Sequence, residues 1–220
     1  MKKGLLIVFS GPSGVGKDTI LKKLTEIDSN IKLSISATTR QKRDYEIDGK
    51  DYYFLTEDEF LKKVSENKML EYAKYCSNFY GTPSEPIENW LNDGFDVILE
   101  IEVEGGQKVI RENENAVSIF VMPPSFEKLK ERLENRKTDS KEVILGRLER
   151  AKEEIKASSK YNYVVINDDI DICLQDIKAI IKAEKLKYKN MKNFINEVFK
   201  KWLKRQLKIC YQEKKADMLL

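Results

Sequence analysis

Two kinds of apolar pattern alternate along the chain. Residues 5–9 and 97–101, with Val117–Met122 and Tyr163–Ile166, are short continuous apolar runs, the signature of strands buried on both faces of a parallel sheet. Between them the period changes to that of a helix. Lys17–Ile27 sets Leu21 and Leu24 on one side, residues 83–92 read as a helix stopped by Gly94, and helical patterns flank the two later strands. Residues 125–136 and 140–158 form a further helical pair, the second with Val143, Ile144, Leu148, Ala151 and Ile155 at helical spacing. Polar Lys137-Thr138-Asp139 joins the pair, which predicts a helical hairpin projecting from the sheet. A different pattern fills residues 36–80. The apolar residues of 31–36 alternate (Ile31, Leu33, Ile35), an aromatic run covers 52–55, and Met69–Tyr75 is extended, which together predict a small half-exposed sheet. Within it Thr56 and Glu59 have the spacing of a capping box for a short helix carrying Phe60 and Val64.

The reading is an α/β fold: a parallel sheet with helices on both faces, a small mixed-β insertion and a helical hairpin. Residues 1–35, 81–124 and 159–187 make the core, 36–80 the insertion and 125–158 the hairpin. A basic amphipathic helix occupies 188–220, with Phe194, Val198, Phe199 and Trp202 at helical spacing among many lysines. Such a helix docks on its own domain, meets another subunit, or lies on an anionic membrane or RNA surface; docking or self-association is the expectation.

At 220 residues and 41% hydrophobic content the chain suits one compact domain. Forty Lys and Arg against 37 Asp and Glu nearly cancel, so no nucleic-acid partner is expected from composition. Cys76, Cys173 and Cys210 are widely spaced without a CxxC pair, which fits free thiols in the cytoplasm. The chain has no histidine. That excludes Ser-His-Asp and Cys-His catalysis and His-ligated metals, and favours chemistry driven by positioning and charge. Lys2-Lys3 before the first apolar run faintly imitates a signal peptide, but the run is too short, and no stretch approaches the roughly 20 apolar residues needed to span a bilayer.

Gly11-Pro12-Ser13-Gly14-Val15-Gly16-Lys17 lies between a buried strand and a helix, the context in which GxxxxGK binds phosphates. Glycines let the backbone wrap closely, amide N–H groups point inward, and the helix N-terminus adds partial positive charge. An oligophosphate such as that of ATP fits, with Lys17 reaching its terminal phosphates. Where the pattern has Ser or Thr to hold Mg2+, this chain has Asp18, then Thr19. Asp18 either reaches a hydrated ion, leaves it to phosphates and water, or simply favours the positive helix terminus.

Further along stand Ser36-Ala-Thr-Thr-Arg40-Gln-Lys-Arg43, Gly49-Lys-Asp-Tyr52, Glu71-Tyr-Ala and Tyr80-Gly-Thr82. This succession, over about residues 5–185, resembles the guanylate kinase family of P-loop nucleoside monophosphate kinases. The resemblance implies transfer of the γ-phosphoryl group of ATP to GMP, and to dGMP, in purine nucleotide metabolism. It further implies that Arg40, Arg43, Tyr52 and Tyr80 hold the GMP phosphate while Ser36, Glu71, Thr82 and Glu102 surround the guanine. The chemistry agrees: guanidiniums and phenols suit a dianionic phosphate, and one carboxylate can accept both N1–H and the exocyclic amine of guanine, a pairing adenine cannot offer. Glu100 and Glu102 end a strand where ligands gather in open α/β sheets; Glu100 resembles the acidic residue that orients Mg2+ through water. The family more often has Asp at position 102 and Gln at position 104, where this chain has Glu.

Arg132 and Arg136 share a helix face and Arg147 lies on the facing helix. By resemblance the hairpin is a lid whose three arginines close over the triphosphate, and Asn167 borders the adenine. Two alternatives share the scaffold: a binding module without catalysis, against which Lys17 and the arginines argue, and a kinase for another phosphate acceptor, which leaves Glu71 beside Thr82 without a purpose.

Overall fold

The continuous apolar runs form one parallel sheet because each carries side chains that must be covered on both faces. In the computed structural model, which describes residues 3–75, 77–135 and 140–217, the large sheet consists of β1 (Leu6–Ser10), β2 (Ile31–Leu33), β7 (Asp96–Glu100), β8 (Val117–Met122) and β9 (Tyr163–Ile166). Their order is β2-β7-β1-β8-β9, all parallel. β1 is central, with Ile7, Val8 and Phe9 fully buried. Phe9 pairs with Glu100 and Ser10 with Phe120, so the loop after β1 and the end of β7 open at the same edge of the sheet.

Helices α1 (Lys17–Ile27), α3 (Ser84–Asn92) and α4 (Val103–Glu112) run between strands, and α7 (Ile170–Leu186) follows the last of them. α1 buries Ile20, Leu21 and Leu24. The expected strand over 31–36 is shorter than its alternation suggests. Its first three residues join the large sheet beside β7, and the chain leaves after the Ser34 amide bonds the Ile98 carbonyl. β9 also departs from expectation: as an edge strand it buries only Val165, leaving Val164 and Ile166 51% and 56% exposed. Apolar composition shows β propensity but not which strand has a neighbour on each side.

The insertion folds as a mixed four-stranded sheet, β4-β3-β6-β5, from β3 (Ala37–Thr38), β4 (Tyr53–Phe54), β5 (Met69–Tyr75) and β6 (Asn78–Pro83). Helix α2 (Glu57–Ser65) begins with the capping box of Thr56 and Glu59, both halves formed, and packs Phe60 against Phe79 at 5.5 Å between ring centroids. α5 (Phe126–Asn135) and α6 (Lys141–Lys156) make the hairpin, joined by Leu129, Leu133, Ile144 and Ala151. Val143 does not join them; it is exposed and lines a cleft with Lys17 and Glu100.

Residues 3–180 make one compact unit and those from Ile181 a second. The second contains the end of α7 and a 30-residue helix, α8 (Tyr188–Asp217). Its first turn is tied by the Asn190 side-chain amide on the Glu184 carbonyl at 2.8 Å and a Lys187–Glu184 ion pair.

Candidate active site

The loop between β1 and α1 can wrap tightly only because of its glycines. Gly14 and Gly16 have φ of +86° and +96°, a left-handed backbone that costs other residues about 1–2 kcal/mol. A side chain at Gly16 would stand 2.7 Å from the Asn167 amide nitrogen. Pro12 accepts the Val15 amide, Val15 is buried, and Ser13 is exposed at the rim. Lys17 folds back over the loop, its Nζ donating to the Gly11 carbonyl at 2.8 Å. Asn167, at the end of β9, is buried and donates Nδ2 to the Val15 carbonyl at 2.7 Å. With Gly14, Gly16, Thr19 and Arg132 it lines a cavity of about 520 Å³.

Two other cavities, of about 850 and 560 Å³, share Ser36, Tyr52, Glu100, Ile101, Glu102 and Arg150. They are one continuous cleft running from Lys17, Asp18 and Ser13 to the small sheet. At the far end Glu71 and Thr82 are register partners on β5 and β6, so their side chains share a face. Thr82 Oγ1 donates to Glu71 Oε1 at 2.6 Å. Glu71 is only 8% exposed, and burial pushes its carboxyl above the usual range, against the opposing pull of the Thr82 bond. Gly105 on α4 permits this depth, since a side chain there would meet Glu71 Oε2 at 3.0 Å.

Tyr52 and Tyr80 line the same cleft with ring centroids 6.3 Å apart, edge to face. Burial raises the Tyr52 phenol, which keeps it a neutral donor. Arg40 stands behind them, its guanidinium 5.5 Å from the Tyr52 ring and forked onto Glu46 at 2.7 and 3.1 Å. Glu46 is 7% exposed, and hydrogen bonds from Arg40 and from the Arg43 amide hold it below the ordinary carboxylate range. The sequence motifs assign Glu46 no role. It is instead the partner that fixes Arg40, and Arg43 turns its guanidinium to Tyr45 Oη, on the surface.

Asp18 and Glu100 meet beside Lys17. Glu100 is exposed to the cleft, and desolvation by the surrounding cleft walls, then the Asp18 charge, raise its carboxyl from 4.5 to about 7, with Lys17 opposing. Two carboxylates in contact form an oxygen donor pair for a hard divalent cation that keeps several waters. No cluster of three metal-ligating side chains occurs among the described residues, so the pair fits a hydrated ion rather than an all-protein cage. The raised carboxyl has a stability consequence. At this carboxyl the folded chain keeps a proton that the unfolded chain releases, so its contribution to stability falls as pH rises from about 4.5 to about 7. Glu100→Gln is expected to flatten that fall, checked by urea denaturation midpoints at about pH 5 and about pH 8; an unchanged pH difference would refute the pairing.

The hairpin arginines reach two different cavities. Arg132 donates Nη1 to the Val15 carbonyl at 3.2 Å and Nη2 to the Asn167 carbonyl at 2.8 Å. Arg147 lines the main cleft. Arg136 lies outside the described residues. Sequence reasoning missed Arg150, which lines both parts of the cleft and pairs Nη2 with Glu102 Oε2 at 2.7 Å and Nε with Glu154 at 3.0 Å. Its one signal in the sequence was the i, i+3 spacing from Arg147. Glu102, expected at the base, is thereby occupied by the hairpin.

Comparison with known proteins bears on the family of the whole chain. Residues 3–184 match the protein-family model described as guanylate kinase. A guanylate kinase of Lactococcus lactis is 50% identical over 183 residues, 83% of this chain and 89% of that protein. One from Caldanaerobacter subterraneus is 52% identical over 184 residues, covering 84% and 89%. The crystal structure of guanylate kinase from Anaplasma phagocytophilum superposes with a TM-score of 0.66 at 37% identity, over 84% of this chain and 88% of that one. A glycine loop closed on Lys17, a carboxylate set deep in the opposite end of one cleft and these matches place the chain in the guanylate kinase family.

Proposed function

We infer that transfer of the γ-phosphoryl group of ATP to GMP, the reaction of the family, is divided here between the two ends of the cleft. The observation that carries this is the continuity between them, with Lys17 and Asp18 at one end and the Glu71–Thr82 pair at the other. The loop amides and Lys17 hold the ATP phosphates, and Asn167, Thr19 and Arg132 border the nucleoside. Glu71 accepts N1–H and the exocyclic amine of guanine, with Ser36, Thr82 and Glu102 around it. Arg40 and Arg43 with Tyr52 and Tyr80 take the GMP phosphate, for which Arg43 must turn from Tyr45.

An oxygen of the GMP phosphate attacks the γ-phosphorus in line, and the bond to the oxygen bridging β- and γ-phosphorus breaks, giving GDP and ADP. That phosphate has its second pKa near about 6 and is already dianionic at neutral pH, so no catalytic base is required and the missing histidine costs nothing. Asp18 and Glu100, through water, would hold Mg2+, which neutralises charge on the β- and γ-phosphates when bound. Lys17, Arg132, Arg136 and Arg147 follow the charge on the transferring group. In this reading residues 36–80 are the GMP-binding insertion and 125–158 a lid that closes on both nucleotides, on a core working in the cytoplasm.

A coupled assay of ADP release across monophosphates tests the assignment. GMP and dGMP are expected to be turned over, and AMP, UMP and dTMP to be weaker by a factor on the order of 10³ or more. Comparable rates with AMP would overturn the guanine assignment.

A further inference from the structure

The family match ends at residue 184, and the helix beyond it carries a chemistry that nucleotide transfer does not use. On α8, Phe194, Val198, Phe199, Trp202 and Leu203 are between 51% and 62% exposed. At 100° per residue they fall within one half of the helix, with Lys192 and Arg205 near its two borders, while Lys189, Lys200, Lys201 and Lys204 fall in the other half. The helix carries nine Lys and Arg against Glu197, Glu213 and Asp217, a net charge of +6. The whole chain is only +3, so everything outside α8 sums to −3.

We propose that α8 is an interfacial anchor that lies in the surface of an anionic phospholipid bilayer. Three observations choose this occupant. First, apart from Leu207 on the basic side, the exposed aromatic and aliphatic residues are segregated from most of the lysines, which lets the apolar half sink into the acyl boundary while the ammonium groups meet lipid phosphates. Single-stranded RNA asks for the opposite arrangement, with stacking aromatics interleaved among basic groups along one groove. Second, two copies of a +6 helix lack the complementary flanking charges that pair helices in coiled coils, and their apolar half is wider than a two-position seam. Third, no helix among the described residues is long and apolar enough to cross a membrane, so the attachment is to one leaflet surface. Each basic residue near an anionic surface strengthens partition by about fivefold, and salt screens that share of the attraction.

Flotation of the full chain with vesicles tests the proposal. Vesicles of phosphatidylcholine containing about one third phosphatidylglycerol are expected to carry the protein up the gradient, with a blue shift in tryptophan emission. Pure phosphatidylcholine vesicles should bind at least tenfold less. Trp202→Glu should cut binding at least tenfold, and Lys200→Gln with Lys201→Gln and Lys204→Gln about a hundredfold. Turnover of GMP in solution should not change in either variant, which reports that the catalytic unit is folded. Equal binding to neutral and anionic vesicles, or none to either, would overturn the proposal. So would a dimer in sedimentation equilibrium that Trp202→Glu dissociates, or binding to single-stranded RNA that anionic vesicles fail to compete.

Discussion

Lys17→Ala is expected to lower kcat for GMP phosphorylation by about 10²- to 10³-fold while leaving the fold intact. The two effects separate because Lys17 acts in two states with different worth. In the structure its ammonium donates to the Gly11 carbonyl, and a partly solvated bond of this kind contributes about 1–2 kcal/mol at most. For a chain of this size that is a shift of a few degrees in Tm. In the transition state the same ammonium faces charge developing on the transferring phosphoryl group in a cleft that excludes water, where a lost electrostatic partner costs about 3–4 kcal/mol in the barrier. Lys17→Arg is expected not to rescue. A planar guanidinium is too broad for a loop whose Gly14 and Gly16 hold the backbone close. Near-normal kcat in Lys17→Ala, measured by ADP release at saturating ATP and GMP, would remove Lys17 from the mechanism. Loss of activity together with a collapse in Tm would assign it a structural role instead.

How much of the molecule is legible in its sequence depends on the range of the interactions. The glycine loop could be read directly because its chemistry is local: seven consecutive residues between a strand and a helix decide where the phosphates sit. The capping box at Thr56 is likewise local and formed as read. The Glu71–Thr82 pair could be named but not built from sequence, since its geometry depends on an antiparallel register broken by an irregularity between Met69 and Glu71; a slip of β5 by one residue would turn Glu71 to the face away from Thr82. Glu46 and Arg150 were beyond reach for different reasons. Glu46 acts from a turn without periodicity, where nothing separates a buried acid from a solvated one. Arg150 meets Glu102 across 48 positions, between the hairpin and the start of α4, and no local spacing records that contact. The exposed edge of β9 failed for a related reason: neighbours, not residues, decide burial.

Glu71→Gln carries the second large expected effect, on discrimination rather than on rate. The carboxylate is held by Thr82 at 2.6 Å and set too deep for water to substitute for a missing partner. Guanine presents two donors side by side, so a carboxylate satisfies both, whereas glutamine accepts one and turns its own amide hydrogens against the other. Leaving a buried donor unpaired costs about 1–3 kcal/mol, so kcat/KM for GMP is expected to fall by about 10²-fold. Adenine presents an acceptor beside a donor, which glutamine matches and glutamate does not. The same substitution should therefore raise kcat/KM for AMP and bring a preference on the order of 10⁴ down to within about tenfold. Stability separates this from damage to the site. Burial already raises the Glu71 carboxyl, so the folded chain resists its ionisation. A neutral amide of equal size should leave the protein at least as stable near neutral pH. Measuring kcat/KM for GMP and AMP alongside urea denaturation decides the matter: a variant that stays folded and still prefers GMP by the full factor would show that the guanine edge is read elsewhere.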